Sequence, residues 1–245
     1  MQPSPPRSAI EFALRIDHTL LRADATSGEI GRHCTEARKY GFYGVCVNSA
    51  FVEQAATLLA ASPTRVCTVI GFPLGATAIP VKAYEAELAV QAGADELDMV
   101  MAIGRLKDGQ FSAVRYDIER VVAAAQRRVV KVIVESAALT TTELDTASSL
   151  AMDGGAQFVK TSTGFFTESG RGGATCWAVA RIRSQIGRRG HVKASGGIRD
   201  LASALALLAA GADRLGTSAS VHILKQWNAL RDAAIRPSLR GDSAT

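Results

Sequence analysis

The nine residues Ala92–Val100, AGADELDMV, compress a helix stop, a turn and a strand into one short stretch. A glycine just past a helical pattern takes the left-handed position that ends a helix, and the apolar run behind it has strand composition. The same grammar returns at Ala210–Ser218 as AGADRLGTS, and more loosely at Tyr40-Gly41 and Gly154-Gly155-Ala156. A-G-A-D repeated before a strand is a weak internal repeat of one βα unit.

Outward from this stretch, short apolar runs centre near Ile16, Val45, Val69, Leu97, Val132, Val159, Val192 and Leu215. Helical periodicity fills the gaps between them. Phe111, Val114, Ile118, Val121, Val122 and Ala125 share a face, as do Val52, Ala55, Ala56 and Leu59, and Leu201, Ala204, Leu205 and Leu208. Eight strands, each followed by a helix, predict an α/β fold closed as a (β/α)₈ TIM barrel, since open doubly wound sheets generally have fewer strands. The 245 residues, 47% hydrophobic but only 6% aromatic, suit one such domain with an aliphatic core and no disulfide or metal staple. No linker interrupts residues 1–245; only about 1–8 and 237–245 are expected to be disordered tails.

Composition narrows the function as well. Cys34, Cys46, Cys67 and Cys176 form no CxxC pair and have no metal-ligand spacing with the four histidines, which reads as reduced thiols in a cytoplasmic protein. The opening MQPSPPRSAIEF lacks the apolar run of a secretory signal, and no stretch reaches transmembrane length, so no membrane partner is expected. The net charge of +5 comes largely from Arg127-Arg128 and Arg188-Arg189 at helix ends, where the dipole favours cations, and from Arg236 and Arg240. No aromatic residues interleave with these charges, which argues against nucleic-acid binding; a small phosphorylated substrate suits a modest basic balance.

Barrel sites form at the C-terminal ends of the strands. There the chain offers Asp17-His18-Thr19, Cys46-Val47-Asn48, Gly71-Phe72-Pro73, Asp98, Glu135-Ser136, Lys160-Thr161-Ser162, Lys193-Ala194-Ser195 and Gly216-Thr217-Ser218. Two of these ends carry a lysine, on strands that the order makes neighbours. A buried ammonium must snorkel out, find a partner or lose its charge. Adjacent strands lie about 4.8 Å apart, so two inward ammoniums would approach to roughly 6 Å. At an effective dielectric of ~20 they repel by about 2.8 kcal/mol, roughly a hundredfold in the protonation equilibrium. One neutral amine near pH 7 is what imine formation with a carbonyl substrate needs. Asp98, flanked by outward Leu97 and Met99, is placed to move protons and to offset the paired charge. Ser195-Gly196-Gly197 and Gly216-Thr217-Ser218 sit where barrels bind phosphate through backbone N–H groups, with Ser218 expected to open the last helix. His18 is read as a structural hydrogen-bonding residue, and Glu135 as an interior partner for a lysine.

These runs resemble the deoxyribose-phosphate aldolase family of class I aldolases. The likeness spans IDHTLL (16–21), GVCVNSAFV (44–52), VIGFPLGA (69–76), ADELDMVMAIGRLKDG (94–109), FVKTSTGF (158–165), VKASGGIR (192–199) and ADRLGTSAS (212–220). The resemblance implies reversible cleavage of 2-deoxy-D-ribose 5-phosphate to D-glyceraldehyde 3-phosphate and acetaldehyde. It also implies an imine on Lys160, and a proton relay through Lys193 and Asp98. Asp17 would position Lys193, Thr163 and the glycine loops would hold sugar and phosphate, and Cys46 would line the pocket. No metal or organic cofactor is implied, and a homo-oligomer is compatible. Three features depart from the family pattern: the longer run FFTESGRGGAT (165–175), Ala219 in GTSAS, and a tail without tyrosine, the last being Tyr116. The rival readings are another imine-forming aldolase or transaldolase on a different sugar phosphate, and a barrel that binds sugar phosphates without catalysis.

Overall fold

A computed structural model describes residues 5–166 and 172–235. The eight strands are β1 (Ile16–Leu20), β2 (Gly44–Val47), β3 (Arg65–Ile70), β4 (Glu96–Val100), β5 (Val129–Ile133), β6 (Phe158–Lys160), β7 (His191–Ser195) and β8 (Arg214–Thr217). All pair in parallel and in chain order, and β8 returns to β1 to close the barrel. Each expected strand centre falls inside one of them. Of the stretches expected to be disordered, 1–4 and 237–245 lie outside the described residues; Ser8 caps the first helix by accepting the Glu11 N–H.

Ten α-helices lie among the described residues: α1 (Ala9–Ala13), α2 (Ser27–Tyr40), α3 (Val52–Leu59), α4 (Ile79–Gln91), α5 (Ile103–Lys107), α6 (Phe111–Ala124), α7 (Thr141–Asp153), α8 (Cys176–Ile186), α9 (Leu201–Ala209) and α10 (Ser220–Ile235). Their starts follow side-chain chemistry: Thr26 and Thr140 form full capping boxes with Glu29 and Glu143, satisfying N–H groups the helix leaves free. The stops follow the glycines; Gly41 ends α2 at φ 68°, and Gly211 leaves α9 at φ 115°. No helix among the described residues is long and apolar enough to cross a membrane.

The A-G-A-D repeat has a shared structural role. The Asp95 carboxylate accepts the Val66 N–H at 2.9 Å while its own N–H donates to Val66 O at 2.7 Å. Asp213 repeats this on Val192, both bonds at 2.8 Å. Each aspartate thus fixes the start of its strand against the preceding neighbour.

Alternation along the strands splits the core. Outward residues such as Val45, Leu97, Met99, Val132, Val159, Val192 and Leu215 pack under the helices in one apolar layer. Val114, Ile118, Val121 and Ala125 of the α6 stripe join it, whereas Phe111, in the first helical position, is 45% exposed. Trp227 of α10 stacks on Phe12 at 4.7 Å; Trp177 of α8 faces outward. Inward, the barrel is filled by ionised side chains where aliphatics are usual.

Candidate active site

Asp98 is the hub of the barrel interior. Its Oδ1 accepts Lys131 Nζ at 2.8 Å, and its Oδ2 accepts both Lys160 Nζ and Lys193 Nζ at 2.8 Å. The amines of Lys160 and Lys193 therefore lie no farther apart than twice that distance. The Cys67 thiol donates to Oδ1 at 3.1 Å. Below this layer Lys131 pairs with Glu96 at 2.6 Å, and Lys193 with Asp17. Asp17 also takes Arg214 at 2.8 Å; that guanidinium stacks 3.3 Å from the Tyr43 ring, whose hydroxyl donates to Glu96 at 2.9 Å. All seven charged groups are buried.

The electrostatics follow from this enclosure. Burial would raise the Asp98 carboxyl, but Lys131, Lys160 and Lys193 outweigh it and hold the group well below the usual carboxylate range. Asp17 is likewise lowered, with Lys193 and Arg214 overcoming burial. Burial would lower Lys193, yet Asp17 and Asp98 raise it above its ordinary value, and Lys131 is raised in the same way by Asp98. Lys131 and Lys193 are thus fixed as cations. Four cations face three carboxylates, so one proton fewer brings the cluster to neutrality.

Above the cluster lies a cavity of about 470 Å³. Its wall includes Lys160 and Thr163, the loop residues Gly196, Gly197, Gly216, Thr217 and Ser218, and Arg22 and Arg199. Gly196, at φ 86°, lets two loops touch: a Cβ there would meet Gly173 Cα at 2.9 Å and Gly164 Cα at 3.2 Å. Arg22 is engaged by Asp24 and Glu29. A second cavity of about 580 Å³ lies beyond Thr163 and Phe165, lined by Glu135, Leu74, Ile103 and Phe166.

The structure brings Lys160 and Lys193 together on Asp98, and the glycine loops to one cavity wall. It redistributes other candidates. Asp17 and Cys46 are wholly buried beneath the cavity floor; Asp17 braces Lys193, and Cys46 packs with Leu21, Cys67 and Val69. The Thr217 hydroxyl is committed to the loops, donating to Ile198 O at 2.6 Å and accepting Ala219 N–H at 2.9 Å. Ser218 precedes the last helix, which begins at Ser220 instead. Glu135 meets no lysine; its Oε2 accepts the Thr163 N–H at 3.0 Å and the Thr163 hydroxyl. His18 stacks on His33 at 3.6 Å and bonds Glu36, a structural role. Of the longer run after Gly164, residues 167–171 lie outside those described, as does the tyrosine-free tail after Ile235.

Strand-end position does not point to Lys131, Glu96 and Arg214, although the sequence carries a signal for each. Each is a charged residue inside a strand, two positions before or after an inward one. They lie in the layer beneath the strand ends, where barrels place packing and not chemistry.

Fold and site together define a (β/α)₈-barrel enzyme built around an interior lysine–carboxylate cluster beneath a glycine-lined cavity. A sequence model of the DeoC/LacD family of aldolases matches residues 12–224, and the chain belongs to that family. It is 52% identical over 217 residues to a deoxyribose-phosphate aldolase of Coprothermobacter proteolyticus, covering 89% of this chain and 97% of the relative. A deoxyribose-phosphate aldolase of Carboxydothermus hydrogenoformans is 51% identical over 222 residues, covering 89% and 96%. Among solved structures, the tetrameric deoxyribose phosphate aldolase of Aeropyrum pernix superposes with a TM-score of 0.84 at 34% identity, covering 91% and 93%.

Proposed function

We propose that the protein catalyses reversible retro-aldol cleavage of 2-deoxy-D-ribose 5-phosphate through an imine on Lys160. The observation that carries this is the asymmetry among the three lysines. Lys131 and Lys193 each touch two carboxylates, whereas Lys160 touches Asp98 alone and is the only one of the three on the cavity wall. The amine with the fewest anionic partners is the one free to react.

The free amine of Lys160 adds to the substrate's C1 carbonyl and water leaves, giving the protonated imine. The C3 hydroxyl loses its proton, the C2–C3 bond breaks, and its electron pair moves toward the imine nitrogen. D-Glyceraldehyde 3-phosphate departs. The enamine left behind takes a proton at C2, and water then releases acetaldehyde and restores the amine. Asp98 remains a carboxylate throughout and holds the Lys193 ammonium beside Lys160, while water in the cavity takes the proton from the C3 hydroxyl and returns it at C2. The phosphate lies against Gly196, Gly197, Gly216 and Ser218, with Arg199 adding charge. Thr217 enters through its backbone, since its hydroxyl is already engaged.

The homologues' names support this substrate, and the Aeropyrum pernix tetramer supports a homo-oligomer. Free, largely buried thiols suit the cytoplasm. The test compares release of glyceraldehyde 3-phosphate from deoxyribose 5-phosphate with cleavage of ketose phosphates, for wild type and Lys160→Ala. Deoxyribose phosphate should be cleaved far faster, and only by wild type; faster cleavage of a ketose phosphate would overturn the substrate assignment.

A further inference from the structure

Glu135 stands just past β5 in a conformation that non-glycine residues rarely adopt, φ 52° and ψ 64°. Such a residue persists where its surroundings over-determine it, and it often marks a site. Here the clamps are visible: Val134 N–H donates to Lys160 O at 3.0 Å, and Ser136 N–H to Thr161 O at 2.8 Å. Between them the Glu135 side chain, 2% exposed, meets Thr163 twice on one oxygen while its other oxygen, Oε1, has no partner.

That asymmetry decides where hydrogens sit. Oε2 receives two donors, the Thr163 N–H and hydroxyl, so it carries no proton itself. Burial pushes the Glu135 carboxyl up against the lowering effect of those bonds. When it is protonated, the hydrogen goes to Oε1, and Thr163 still donates to Oε2. The Thr163 hydroxyl oxygen also accepts the Phe165 N–H at 3.0 Å. A threonine hydroxyl has one hydrogen and two lone pairs, so one lone pair remains. Thr163 lines the cavity that contains Lys160.

We propose that Glu135 is a positioning residue: by taking the Thr163 hydrogen it leaves that oxygen able only to accept, and so selects a substrate that donates a hydroxyl beside Lys160. The inference rests on the aldolase reading above. The C3 hydroxyl must give up its proton during cleavage, so the selected group is the neighbouring C4 hydroxyl, which in the reverse reaction is the 2-hydroxyl of glyceraldehyde 3-phosphate.

The test runs the aldol direction with acetaldehyde and two acceptors, D-glyceraldehyde 3-phosphate and its analogue lacking the 2-hydroxyl, 3-phosphooxypropanal. Glu135→Ala should lose about tenfold in kcat/KM with the hydroxylated acceptor, mainly through KM, and little with the analogue. Glu135→Gln, whose amide oxygen can take both Thr163 donors, should keep the wild-type preference. Thr163→Val should show the same selective loss and decides the matter if Glu135→Ala does not fold. Equal losses on both acceptors, an unchanged preference, or failure of glutamine to restore it would overturn the inference. Borohydride trapping with acetaldehyde, which has no hydroxyl, separates the two levels: an adduct on Lys160 in every variant upholds the imine, and its absence in wild type would overturn the reading beneath.

Discussion

Lys131, Lys160 and Lys193 converge on one carboxylate, and what else each touches divides their work. Lys193, held between Asp17 and Asp98, is a fixed cation. Lys193→Leu should therefore move the pH dependence of borohydride trapping at Lys160 upward, because a neighbouring cation is removed while Asp98 stays. A profile identical to wild type would refute that role. Lys131 joins Glu96 to Asp98 within the barrel. Lys131→Met takes one cation from two buried carboxylates that keep other partners, Lys160 and Lys193 on Asp98 and Arg214 at 3.6 Å from Glu96, so a loss of about 1–3 kcal/mol in denaturant-unfolding stability is expected; a loss under 1 kcal/mol would show that the two carboxylates do not depend on it. The alternation that exposed Asp98 in the sequence also marks Lys131 in VVKVIV. Its partners were harder to read, because Glu96 and Asp98 lie on the neighbouring strand and only the register Asp98 opposite Lys131 brings them together.

At the scale of elements, local chemistry was largely legible. The glycines that stop α2 and α9 announce themselves in sequence because few other residues accept their backbone angles. The strands read clearly because their outward faces are nearly continuous aliphatic surface. The loops did not read so well. That Thr217 spends its hydroxyl on Ile198 depends on how the β7 and β8 loops meet, which no short motif encodes. The contact of Gly196 with Gly173 and Gly164 is of the same kind. Gly196→Ala combines that clash with a left-handed φ, so it should destabilise by about 1–3 kcal/mol and weaken competition by inorganic phosphate. Unchanged thermal stability and phosphate inhibition would show that the loops need not approach so closely.

For the molecule as a whole, closure of β8 on β1 decides the chemistry. It brings Asp17 to Lys193 across 176 residues, and Asp17 to Arg214 across 197. Apolar patterning predicts a barrel but not which ions meet inside it. Outside the barrel wall, burial holds His18 at about 4 and His33 at about 3, both below the usual imidazole value. The unfolded chain binds protons to these rings near pH 6.5, before the folded form does. Stability is thus fully present above pH 6.5 and lost as pH falls from there toward 4, on the order of 3 kcal/mol for His18 alone. Urea midpoints measured between pH 7 and 4 should fall accordingly, and less steeply in His33→Asn; a flat midpoint would contradict the buried neutral pair.

Imine chemistry at Lys160 is tested most directly by incubating the folded protein with acetaldehyde and borohydride and mapping the adduct by peptide mass spectrometry. An ethyl group on Lys160, absent from Lys131 and Lys193, is the expected result. Modification of Lys193 instead, or no adduct in folded protein, would contradict it.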